Sequence, residues 1–129
     1  MGVVGGCHHV HVITPDPEAS AAWAGEFLGS EVIKREEPRG AKNVMGRIGE
    51  ATLSFRTPRP TDKLAEAGAA RPFGLDHVAF FVDDLVPMVE RMRAGGVEIA
   101  EEVFDHSGGS EAAFVVGTDG VMFELIQTK

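Results

Sequence analysis

Three residues set within strand-like apolar segments belong to types that bind metal ions: His9, His77 and Glu124. Imidazole nitrogen and carboxylate oxygen both ligate divalent transition ions. Two of the first with one of the second leave positions open for water or substrate. Such a set suits non-haem Fe(II), and also Mn(II), Co(II), Ni(II) or Zn(II). Each residue also has an ordinary alternative. A strand histidine is commonly structural or solvated, and Glu124, in Val-Met-Phe-Glu-Leu-Ile-Gln, could occupy an outward position facing water. Were Glu124 buried and ionised, it would need a metal ion, a proton or an arginine such as Arg56, because an unpartnered buried carboxylate costs several kcal/mol.

The elements that must position these residues come in two similar sets. One begins His9-Val-His-Val-Ile-Thr-Pro-Asp16 and the other His77-Val-Ala-Phe-Phe-Val-Asp-Asp84, each with a histidine, an apolar run and an aspartate seven residues on. Both runs have the length and the Val, Ile and Phe content of strands. A helix should follow each. Asp16 suits an N-cap, Pro17 the first helical position and Glu18 the first turn, with Ala22, Trp23, Glu26 and Phe27 at helical spacing and Gly29 as the stop. In the second set Asp83 or Asp84 caps, Leu85, Met88, Val89 and Met92 form the apolar stripe, and Gly95-Gly96 ends it. Strands are then expected at Glu31–Glu36, Asn43–Ile48 and Ala51–Thr57, and at Val97–Val103, Ala112–Val116 and Val121–Gln127. Turn residues separate them, among them Pro38-Arg39-Gly40 and Thr118-Asp119-Gly120. The whole reads as a single domain of residues 1–129, with module one about 1–60, a proline-rich linker about 58–72 and module two about 73–129. A short helix is expected at Asp62–Gly68.

Successive side chains on a strand face opposite ways, so parity sorts the polar residues. His9, His11 and Ile13 share a face against Val10 and Val12. His77, Ala79 and Phe81 oppose Val78, Phe80 and Val82; Met122, Glu124 and Ile126 oppose Phe123 and Leu125; Thr52, Ser54 and Arg56 oppose Leu53 and Phe55. One face is therefore apolar, as it must be under a helix. The other carries His9, His11, His77, Glu124, Thr52, Ser54 and Arg56 among apolar residues, the mixture expected of a ligand cavity.

The bulk properties bound the function classes. A chain of 129 residues is enough for one domain, and 43% hydrophobic with 25% charged residues is a globular composition. No apolar run approaches the roughly 18–20 residues needed to cross a bilayer. The net charge of −8 argues against nucleic acid as a partner. The absence of a signal-like start and the single cysteine, Cys7, fit a cytoplasmic protein.

The residues also resemble a known family, the vicinal-oxygen-chelate superfamily of glyoxalases, bleomycin-resistance proteins and dioxygenases. The resemblance is carried by His9-Val10, Asp16 and Phe27-Leu28-Gly29, by Leu75-Asp76-His77-Val78-Ala79-Phe80, by Val82-Asp83-Asp84-Leu85, and by Asp119-Gly120-Val121-Met122-Phe123-Glu124-Leu125. It implies an α+β fold of two βαβββ modules forming a curved mixed β-sheet cup with helices on the convex face. Four equivalent positions in the cup can supply ligands to a divalent metal ion. Three map onto His9, His77 and Glu124. The fourth maps onto Ser54, where glyoxalase I and epimerase relatives carry Glu or Gln. A neutral hydroxyl is a poor ligand, so the resemblance leans away from lyase or epimerase chemistry and toward the two-histidine, one-carboxylate site of extradiol dioxygenases. Those enzymes usually add a tyrosine, and this chain has none. His11 could act in a catalytic role, as a fourth ligand or as a wall residue. Arg56 is a candidate for holding a substrate carboxylate. His106, in Phe-Asp-His-Ser-Gly-Gly, reads as a solvated loop histidine, with an acid–base role as the alternative.

The expected function is thus a divalent-metal-dependent enzyme acting on a small oxygen-rich substrate, with Fe2+ or Mn2+ favoured and Zn2+, Ni2+ or Co2+ possible. The alternatives are a glyoxalase I-like lyase or isomerase, a bleomycin-resistance-type drug-binding protein without catalysis, and a purely structural role for the three residues. Relatives of this size imply a homodimer, and the cup could close within one chain or across two.

Overall fold

The structure, a computed structural model, describes residues 1–66 and 71–129. It consists of two compact units, Met1–Leu64 and Ala65–Lys129, which divide inside the expected linker. The first unit contains β1 (His9–Ile13), α1 (Pro17–Leu28), β2 (Glu31–Glu36), β3 (Asn43–Ile48) and β4 (Ala51–Arg56). The second contains β5 (Val78–Phe81), α2 (Leu85–Ala94), β6 (Glu98–Asp105), β7 (Glu111–Val116) and β8 (Met122–Gln127). Each unit is one four-stranded mixed sheet, in the orders β1-β4-β3-β2 and β5-β8-β7-β6. The outer pairs β1–β4 and β5–β8 are parallel and the others antiparallel. This is the expected α+β plan of two βαβββ modules. Among the described residues, no helix is long and apolar enough to cross a membrane.

Local chemistry explains where the helices start and stop. The Asp16 carboxylate accepts a hydrogen bond from the Ala19 amide at 3.0 Å, which satisfies one of the free N–H groups of the first turn of α1. Gly29 ends the helix with φ of 73°, a left-handed conformation that a β-carbon would disfavour. α2 begins differently from expectation. Asp84 sits at the N-cap but its side chain makes no capping bond. The Leu85 amide instead donates to Gln127 Oε1 at 2.6 Å, so β8 caps the helix from across the unit. Asp62–Glu66 is not helical, and the remainder of the expected Asp62–Gly68 helix lies outside the described residues.

Each helix packs on its own sheet, α1 against β2, β3 and β4 and α2 against β6, β7 and β8. The buried apolar residues follow the expected parity. Leu53 and Phe55 on β4 join Ala21, Ala24 and Phe27 of α1; Phe123 and Leu125 on β8 join Leu85, Val89 and Met92 of α2. The residues alternating with them on β4 and β8 carry the polar chemistry.

Candidate metal centre

In the second unit, β5 and β8 lie side by side, with Ala79 opposite Glu124 in the parallel ladder. His77 immediately precedes β5. Its Nε2 lies 2.9 Å from Glu124 Oε2, so two of the three expected ligands meet directly. Glu124 is buried, with 7% of its surface exposed, which excludes the outward, solvated position.

The protonation pattern of His77 follows from its other nitrogen. Nδ1 lies 2.8 Å from an Asp76 carboxylate oxygen, which can only accept, so Nδ1 carries the proton. Asp76 is itself held by Arg71, whose guanidinium lies 2.7 Å from its other oxygen and also donates to its backbone carbonyl at 2.6 Å. In the neutral ring, Nε2 then offers a lone pair toward Glu124. Two lone pairs at 2.9 Å repel, so a proton or a cation must lie between them. The Asp76 carboxylate raises the pKa of His77 above its ordinary value, burial opposes the rise and Glu124 adds to it. A carboxylate–imidazole pair oriented by a further carboxylate is the arrangement that holds and tunes metal ions in proteins, and these residues fit one.

A residue assigned to solvent by its loop position joins this pair. His106 Nε2 lies 3.4 Å from the other oxygen of Glu124, Oε1, so the solvated-loop reading of His106 is corrected. Phe114, opposite Glu124 on β7, stacks edge-on against His77 at 5.0 Å between ring centres. Phe104 stacks on Phe114 and tilts against His106. The two imidazoles and the carboxylate are thus walled by two aromatic rings.

The first unit carries the rest of the expected site residues. Strand register places His9 opposite Thr52, His11 opposite Ser54 and Ile13 opposite Arg56, the shared face read from parity. His9 is exposed, with its Nδ1 2.8 Å from His8 Nδ1 and its ring edge-on to His11. His11 Nε2 lies 2.7 Å from Asn43 Oδ1, and the Asn43 amide nitrogen donates to Ala41 O, so Nε2 of His11 is the donor. Its Nδ1 keeps the lone pair. Burial pushes the His11 pKa down; the Asn43 bond opposes this, and positive charge at His9, Arg56 and Arg59 adds to the lowering. Ser54 is fully buried, and its Oγ has no hydrogen-bond partner among the described residues. A groove of about 680 Å3 lies at the start of α1, lined by Asp16, Glu18, Arg35, Lys42 and Asn43 among others, and none of the three expected ligands lines it. Among the described residues, no three His, Cys, Asp or Glu side chains are placed to hold a metal ion; of the three expected ligands, His77 and Glu124 meet, while His9 belongs to the other unit.

Arg56 is already engaged. Its Nη1 donates to Asp62 Oδ2 at 2.8 Å and to the Thr57 carbonyl at 3.1 Å, and the Arg59 amide donates to the same carboxylate oxygen at 2.7 Å. These bonds, led by the guanidinium, hold the Asp62 pKa down to about 2 from its ordinary 3.8. A depressed carboxyl stabilises the fold fully above its unfolded value and loses that contribution as pH falls through the folded one. The melting-temperature gap between the wild type and Asp62→Asn should therefore hold steady from neutral pH to about 5 and close between about 4 and 2, as thermal melts across that range would record.

The chain belongs to the Glyoxalase/Bleomycin resistance protein/Dioxygenase superfamily, whose family model matches residues 6–125. It is 30% identical over 124 residues to YwkD of Bacillus subtilis, a protein described as uncharacterized, covering 93% of this chain and 94% of that one. It is 25% identical over 130 residues to a probable lactoylglutathione lyase of Vibrio parahaemolyticus, covering 94% and 89%. Its fold matches the fosfomycin resistance protein FosX of Listeria monocytogenes, solved with Mn(II) and sulfate, at a TM-score of 0.73 and 18% identity over 99% of this chain and 95% of that one.

Proposed function

We propose that the chain is a divalent-metal-dependent enzyme acting on a small, oxygen-rich molecule, with His77, Glu124 and His9 as the metal ligands. The observation that carries this reading is the buried Glu124 carboxylate meeting a His77 ring whose other nitrogen is committed to Asp76. FosX, a protein of the same fold, was solved with Mn(II), which supports Mn2+ or Fe2+ as the ion, with Zn2+, Ni2+ or Co2+ compatible. When bound, the ion would supply Lewis-acid stabilisation to an enolate or catecholate made from two neighbouring substrate oxygens.

The protein's own groups have separable tasks. Asp76 fixes the His77 tautomer and orientation. His11 Nδ1 is a proton acceptor on the face it shares with His9. Phe114 lies opposite Glu124 on β7, with Phe104 stacked on it, and offers an apolar wall beside the carboxylate. Ser54 supplies only a neutral hydroxyl, which cannot serve as the basic carboxylate that lyase and epimerase chemistry looks for at this position. Dioxygenase chemistry is favoured on that ground. Lyase chemistry is the second reading, supported by the likeness to a probable lactoylglutathione lyase.

The test is metal analysis of protein purified without a nickel column and reconstituted with Fe(II), Mn(II), Zn(II) and Ni(II), followed by assays of the loaded forms. About one ion per chain is expected, with oxygen uptake in the presence of catechols by the Fe(II) form. Fewer than about 0.1 ion per chain would sink the metal reading. Conversion of a glutathione hemithioacetal without oxygen uptake would replace the dioxygenase reading with the lyase one.

A further inference from the structure

His11 and His77 are held in the same way in the two units. The Nδ1–H of His77 is directed at the Asp76 carboxylate, and the Nε2–H of His11 at the Asn43 amide oxygen, 2.7 Å away. Asn43 is buried, and its own amide nitrogen donates to the Ala41 carbonyl at 3.1 Å, which keeps its oxygen turned to the ring. A metal-ligating histidine ordinarily has its remote ring N–H committed to an oxygen acceptor, because that bond fixes the tautomer and the direction of the other nitrogen's lone pair. In His11 that lone pair is on Nδ1.

The neighbours of His11 agree. His9 lies two residues away on the same face of β1, and the two rings are nearly perpendicular, at 89°, with centres 5.3 Å apart. Two imidazoles on one ion, each nitrogen at about 2.1 Å and the angle between them near tetrahedral, have ring centres about 5 Å apart. His9 turns Nδ1 to His8 Nδ1 at 2.8 Å, which leaves Nε2 to ligate. Across the parallel pair with β4, His11 stands opposite Ser54, whose hydroxyl reaches no partner among the described residues. The β4 position where a carboxylate would ligate thus carries a poor donor, with an imidazole beside it.

We propose that His11 is a metal ligand through Nδ1, joining His9 in the place that Ser54 cannot fill. The inference rests on the reading of His9 as a ligand. The first unit then offers an ion two imidazoles in place of one. The lone pair that accepts a proton in the metal-free chain is given to the ion on loading. Asn43 is the positioning residue for this ligand, as Asp76 is for His77.

The test is proton NMR of the full-length chain loaded with Co(II), which shifts the ring N–H of each ligating histidine far outside the ordinary range, with equilibrium dialysis for affinity. At saturating Co(II), the Nε2–H of His11 should give one such signal, exchangeable in D2O, that His11→Phe removes while the others remain. The same variant, which keeps a ring but no donor, should weaken Co(II) binding by at least about tenfold. His11 is exposed, so the variant should fold as the wild type does, which far-UV circular dichroism checks. Should it fail to fold, His11→Ala takes its place with the same two expectations. An identical set of shifted signals in wild type and variant, or an unchanged affinity, overturns the proposal. The underlying reading fails separately. It falls if the wild type binds no Co(II), or if His9→Phe binds it undiminished.

Discussion

Replacing Glu124 with glutamine is expected to weaken binding of Mn(II) or Co(II) by more than about 100-fold, a loss larger than changes to supporting residues produce. The substitution keeps the shape of the side chain and removes only its charge and one strong oxygen ligand. The neutral amide is a feeble ligand, and its nitrogen can be turned toward either imidazole. Glu124 is the buried carboxylate between His77 and His106. The protein should still fold, since Glu124 faces away from the Phe123 and Leu125 core that packs under α2. Equilibrium dialysis with thermal melts in the metal-free state separates the two effects. A variant that still binds about one ion per chain with wild-type affinity removes Glu124 from the ligand set.

Truncating the strand residue next to that ligand should do the opposite. Phe123 is fully buried, and its counterpart in the first unit, Phe55 on β4, is 1% exposed. Phe123→Ala and Phe55→Ala each leave a cavity the size of a phenyl ring in a closely packed interior, at a cost of about 3–5 kcal/mol. Phe81, 77% exposed on β5, provides the contrast, and Phe81→Ala should change stability by less than about 0.5 kcal/mol. Urea denaturation of the three variants measures the differences. Equal effects at Phe81 and Phe123 would mean that the burial pattern is wrong. Metal affinity per folded molecule should change far less in Phe123→Ala than in Glu124→Gln, because the side chains point to opposite faces of β8.

These opposed expectations rest on a feature legible in the sequence. Alternation on β1, β4, β5 and β8 separates core from site, and the strand ends at Glu31, Glu36, Asn43 and Ile48 coincide with the turn residues that flank them. The pairing of His77 with Glu124 follows from that alternation plus the repeat. What alternation cannot reach is chemistry delivered by a turn or by a distant residue. His106 lies beyond the end of β6, where its direction depends on the turn through Ser107–Gly109 and on no periodicity. The cap on α2 comes from Gln127, 42 residues away, in place of the adjacent aspartates. Arg56 finds its counter-ion in Asp62, inside a linker segment where the sequence marks a short helix and no partner for an arginine. The signal that could have flagged the pairing partner of His77 was present: a carboxylate, Asp76, is its immediate neighbour.

β8 carries two obligations on opposite sides. Gln127 lies on the side of Phe123 and Leu125 and fastens the first amide of α2, while Glu124 lies on the other side with His77. A slip of one residue in its pairing with β5 and β7 would exchange these sides, moving a phenylalanine beside His77 and the carboxylate beneath the helix. If His77 and Glu124 hold an ion as proposed, its uptake is a proofreading signal: the two side chains meet only in molecules whose β8 has found its one correct alignment.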